Sequence, residues 1–98
     1  MKIIKLLDGR LEKVRIDKWL WWARFFKTRS LSAKKVSNGA VRVNSCRVLK
    51  PSAEITIDDV LTLKQGKIVR LIRVVSLGQR RENYEKAKKM YEYIDDIK

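Results

Sequence analysis

Ninety-eight residues carry 24 Lys and Arg against 11 Asp and Glu, a net charge of +13, with no histidine and one cysteine. The length bounds the chain to one domain, and 45% hydrophobic content suits a folded body rather than a disordered tail. Without histidine, and with Cys46 alone, nitrogen and sulfur ligands cannot assemble a zinc site, the commonest general base is missing, and no internal disulfide can form.

The start, M-K-I-I-K-L-L-D-G, is too short for a signal segment and offers no small-residue cleavage site. It reads as a short strand or irregular arm with a turn at Asp8-Gly9. No apolar run approaches ~18 residues, so no spanning helix is expected.

The spacing predicts a helix over 15–26. Ile16, Trp19, Leu20 and Ala23 fall on one buried stripe, and Asp17 sits in the first turn, where the helix dipole favours an anion. Trp19 and Phe26 phase with the core. Trp21 and Phe25 lie off that stripe beside Lys18, either as stacking surfaces for bases or packed under another segment. Lys27-Thr28-Arg29-Ser30 is the connection, with Ser30 or Thr28 as N-cap of a second helix over Leu31–Ser37. Ala33 and Val36 face inward, and Asn38-Gly39 ends the helix.

Val41–Val43 and Arg47–Leu49 around Asn44-Ser45-Cys46 read as a hairpin, broken at Pro51. Glu54–Ile57, Val60–Leu63 and Lys67–Val75 are further strands, with a turn at Gln65-Gly66. A last helix is expected over 81–97 on Tyr84, Ala87, Met90 (or Tyr91) and Ile94. The fold class is α+β: two N-terminal helices on a small, mostly antiparallel sheet of four to five strands, plus a C-terminal helix. The chain is then a single domain, 1–98, with its core in 13–80.

The charge has one address. Lys13–Lys50 holds eleven Lys and Arg and one acid, Asp17, whereas residues 51–98 hold ten bases and eight acids. Like charges gathered this way repel unless a partner supplies counter-charge, and five aromatics in Trp19–Phe26 stand among them, as on surfaces that meet nucleic acid. The free N–H groups at the start of the second helix, flanked by Arg29, suit a phosphate. Asp17 lacks a second titrating group for acid–base work and is expected to orient Arg15 or a neighbouring arginine. Cys46 has no base to activate it. Neither a catalytic nor a metal-ligating residue is expected, nor a cofactor.

The runs R-I-D-K-W-L-W (15–21), A-R-F-F-K-T-R-S (23–30), G-A-V-R-V-N (39–44), K-P-S (50–52) and L-T-L-K-Q-G (61–66) carry a resemblance. They resemble the alpha-L RNA-binding motif first defined in the fourth protein of the small ribosomal subunit. More narrowly, they are similar to the bacterial ribosome-associated heat-shock protein family of about fifteen kilodaltons, from about Arg15 to Tyr93. That resemblance implies a cytoplasmic, non-enzymatic stress-response protein, a monomer away from the ribosome and not a membrane protein. It would bind ribosomal RNA of free large subunits whose nascent chain is stalled on transfer RNA, aiding their rescue, with transfer RNA a further candidate partner. The RNA-binding residues that the resemblance carries over are Arg15, Lys18, Arg24, Lys27, Arg29, Ser30, Asn44 and Lys50, and the concentration of basic residues adds Lys34 and Arg47. This sequence has Ser45 where the family often has Gly after Asn, and longer members continue with a basic tail. The competing readings are a helix-turn-helix-like DNA binder, an RNA-binding accessory module of an RNA-modifying enzyme, and, least favoured, a binder of anionic membranes.

Overall fold

The computed structural model describes residues 6–7 and 10–94. The expected turn at Asp8-Gly9 and the end of the expected last helix, 95–97, lie outside them. Two short antiparallel strands lead, β1 (Leu6–Leu7) and β2 (Arg10–Leu11). Then β3 (Val14–Arg15) runs directly into helix α1 (Ile16–Trp22).

α1 buries the expected stripe: Ile16, Trp19, Leu20 and, just past its end, Ala23 are all buried. It stops four residues earlier than the spacing suggests. The Arg24 N–H bonds the Trp21 carbonyl at 3.0 Å and the Phe25 N–H the Leu20 carbonyl at 3.0 Å, which is the Schellman pattern. Arg24 takes the left-handed position, φ +66°, that glycine usually fills. The chain then folds back so that Phe26 enters the core.

Helix α2 (Arg29–Ser37) is capped by Thr28, whose Oγ1 accepts the Leu31 N–H at 3.0 Å. It begins two residues before the expected start. Gly39 ends it with the same Schellman pair of bonds, at φ +83°. Val36 is buried, Ala33 half-buried, and Ser32 fully buried.

Strand β4 (Val41–Val43) turns through Asn44-Ser45 into β5 (Cys46–Arg47). Both turn residues have positive φ, +51° and +73°, as a two-residue type I′ turn requires, and Ser45 adopts this without glycine. β6 (Glu54–Ile55) is shorter than expected and pairs with β3 rather than joining the main sheet. β7 (Val60–Gln65) and β8 (Ile68–Val74) form the long hairpin, its turn at Gly66-Lys67 rather than Gln65-Gly66.

The helix expected over 81–97 is corrected. A single turn, α3 (Tyr84–Ala87), capped by Asn83, passes into a 3-10 turn at Lys88–Met90 and then into strand β9 (Tyr91–Tyr93). β9 adds to the sheet beside β8, giving the order β5-β4-β7-β8-β9. Alternation in Tyr-Glu-Tyr explains the change. Glu92 pairs across the strands with Arg73, while Tyr91 packs on Phe25, ring centres 4.6 Å apart, on the core face. A continued helix would forfeit both.

The core lies between the helices and one face of this sheet, filled by Trp19, Leu20, Val36, Val41, Leu61, Leu63, Ile72 and Val74. Trp19 donates its indole N–H to the Ser76 carbonyl at 2.8 Å, so its polar edge is satisfied inside. Arg42, Thr62 and Arg73 alternate onto the face away from the helices.

Candidate nucleic-acid interface

Asp17 is the anchor of the basic surface. Its side chain is 2% exposed, yet it serves two arginines whose side chains are 41% and 40% exposed. Arg15 donates to it through Nε and NH2 at 3.1 and 2.9 Å, a bidentate fork, and Arg29 Nε lies 3.7 Å away. The hydrogen bond to Asp17 raises the Arg15 pKa above its ordinary value. The backbone holds Asp17 in turn, through the Lys18 N–H to its Oδ1 at 2.7 Å. The buried Ser32 hydroxyl donates to the Asp17 carbonyl at 2.9 Å and ties α2 to α1. One carboxylate thus holds the guanidinium at the entry to α1 by hydrogen bonds and draws in the one that opens α2 as an ion pair.

The turn holding Lys50 closes on the same end of α1. The Ile16 N–H bonds the Ala53 carbonyl at 2.7 Å and the Asp17 N–H the Pro51 carbonyl at 3.3 Å. Arg15, Lys18, Arg29 and Lys50 therefore gather at the start of α1, with Lys18 Nζ 6.0 Å from the Trp22 ring centre. Ser30 is exposed in the first turn of α2, and Thr28, not Ser30, makes the cap. Lys27 is exposed on the connection and Lys34 on the outer side of α2.

Three candidates stand apart from this group. Arg47 lies on the hairpin directly opposite Arg42, a like-charge cross-strand pair that costs stability without an anion. Asn44 turns its amide back into the fold, donating to Asp59 Oδ1 at 3.1 Å and accepting the Val60 N–H at 2.9 Å. Arg24 is at the far end of α1, where NH1 donates to the Glu82 carbonyl at 3.0 Å.

A model of the S4 domain matches residues 14–61. Heat shock protein 15 of Escherichia coli (strain K12) is 40% identical over 80 residues, which make up 82% of this chain and 59% of that protein. Its Haemophilus influenzae homolog is 36% identical over 81 residues, 83% of this chain and 61% of the homolog. The trimeric structure of Vibrio cholerae heat shock protein 15 aligns with a TM-score of 0.79 at 40% identity, over 85% of this chain and 83% of that one. The chain belongs to the heat shock protein 15 family. It spans about three fifths of the length of the curated relatives it matches.

All ten residues expected at the interface of this heat shock protein 15 family member fall inside the S4 match. The aromatic question raised by the sequence also has an answer. Phe25 packs between Trp19 and Tyr91, with ring centres 6.1 and 4.6 Å away. Trp21 is half-buried beneath the Arg81 guanidinium, 5.8 Å from its ring centre. Arg81 was hidden in sequence by the neutral balance of the second half. The one local sign was the Arg80-Arg81 pair just before the last helix.

Proposed function

We propose that this chain binds structured ribosomal RNA, through backbone charge and RNA shape rather than base sequence, and acts without catalysis of its own. The observation that carries the reading is the buried Asp17 holding Arg15 by hydrogen bonds and Arg29 as an ion pair, with Lys18 and Lys50 beside them. Arginines pre-set in this way lose little side-chain freedom on meeting a phosphate. The first-turn N–H groups of α2 that Thr28 does not take add donors to the same surface.

The fuller reading follows from family membership. The target is the free large ribosomal subunit carrying a stalled nascent chain on transfer RNA, and binding assists recycling of that subunit in the cytoplasm. The chain acts as a monomer away from the ribosome, since a charge of +13 on one small domain is self-repelling. A sedimentation equilibrium mass of three chains, as in the Vibrio cholerae structure, would contradict that last point.

The test is sedimentation of tagged protein through a sucrose gradient of lysate, with crosslinking of bound RNA, beside Arg24→Glu/Arg29→Glu. The expected result is co-migration with free large subunits, lost in the double variant. Migration with small subunits or chromosomal DNA would keep the basic face and overturn the target.

A further inference from the structure

Beyond the S4 match, the segment before α3 meets the end of α1 in a reciprocal clasp. Arg24 NH1 donates to the Glu82 carbonyl at 3.0 Å, and Arg81 Nε donates to the Trp21 carbonyl at 3.3 Å. Each guanidinium spends one N–H on the other segment's backbone and keeps most of its donors for something else. Among the described residues no carboxylate forms a salt bridge with either. The nearest in sequence, Glu82, is paired with Arg80 at 2.9 Å. Burial, and then the neighbouring Arg24, lower the Arg81 pKa from its ordinary value, while its guanidinium stays charged.

Two more features mark the place. Arg24 holds a left-handed conformation, φ +66°, at a position where glycine would be unstrained. The Arg81 guanidinium lies over the Trp21 ring, 5.8 Å from its centre, and so layers guanidinium on indole. Such layers are where unpaired bases stack, since every base has a π-face and the guanidinium plane is itself a stacking partner.

We propose that Arg81, backed by Trp21, is a platform for an unpaired RNA base, and that Arg24 beside it holds the adjoining phosphate. The site lies at the opposite end of α1 from the Asp17 cluster. It deepens the RNA-binding reading and rests on it: the Asp17 cluster grips structured RNA, and the clasp takes a single-stranded extension leaving it.

The experiment compares a short RNA hairpin bearing a single-stranded 3′ tail with the same hairpin cut flush, on the full chain and on Arg81→Gln and Arg81→Lys, with melting temperatures taken in parallel. Wild type should bind the tailed hairpin about tenfold tighter, the scale of one stacked base. Both variants should lose that gain and keep flush-hairpin affinity. Arg81→Lys is informative because it keeps the charge and a donor for the Trp21 carbonyl but has no plane. An unchanged tail gain in Arg81→Gln overturns the platform. So does an equal loss on both hairpins with a lowered melting temperature, since that would make the clasp a structural staple only. Wild type binding neither hairpin would instead defeat the RNA-binding reading itself.

Discussion

Arg24 and Gly39 hold the same place in the same helix-ending motif, one closing α1 at φ +66° and the other closing α2 at φ +83°. Glycine is unstrained there. An arginine costs about 1 kcal/mol or slightly more. Arg24→Gly should relieve that strain but give up the Arg24 bond to the Glu82 carbonyl, worth about 0.5–1.5 kcal/mol, so the two nearly cancel and Tm should stay within roughly 4 °C of wild type. The same change should flatten the salt dependence of RNA binding by about one phosphate's worth of slope. Thermal melting and binding titrations check the two halves separately. A variant with RNA binding untouched would mean the strain serves nothing at the interface.

Asp17 makes an unusual prediction of sign. Asp17→Asn removes the one acid from a cationic patch, so simple charge counting predicts tighter RNA binding. The geometry predicts weaker binding, because Arg15 and Arg29 lose the carboxylate that orders them. Immobilising one such side chain is worth about 1 kcal/mol, or about fivefold in affinity. The fold should lose about 1–2 kcal/mol as well, from hydrogen bonds to a charged acceptor. Filter binding beside urea unfolding reads both.

Tyr91 gives an alkaline signature. Burial, followed by Tyr93, pushes its pKa up to about 12, above the ordinary 10. Below about pH 10 both folded and unfolded chains keep the proton, and the contribution is intact. Between about pH 10 and 12 the unfolded chain releases it first, so stability falls as pH rises through that window. Phenolate absorbance should show one tyrosine titrating late. Tyr91→Phe should remove both the late phase and its share of the alkaline loss. Titration of Tyr91 at the ordinary value of about 10 would contradict its packing on Phe25.

The stripe of α1 was legible because its partners are its own neighbours: Ile16, Trp19, Leu20 and Ala23 repeat at helical spacing and all are buried. Its end was not, because an arginine sits where the chain's signal for stopping is glycine. The last segment misled for a related reason. Tyr84, Ala87 and Met90 carry a helical period, and what turns 91–93 into a strand is distant: Arg73 for Glu92, Phe25 for Tyr91. The charge of the interface could be counted from sequence, and the role of Asp17 follows from its solitude. The side-chain commitments could not be counted. Asn44 bonds to Asp59 and Val60, and Arg81 reaches Trp21, only once strands and loops far apart in the chain have met.

The central claim is that a pre-set cationic surface binds RNA by neutralising phosphates, and the dependence of affinity on salt tests it most directly. With about six phosphates neutralised, a plot of log affinity against log salt should have a slope of about −4 to −5, and affinity should fall by roughly 10³ between about 50 and 200 mM. Arg15→Gln/Arg29→Gln should reduce that slope by about two. A flat response in the wild type, or a slope the double variant leaves unchanged, would contradict the account.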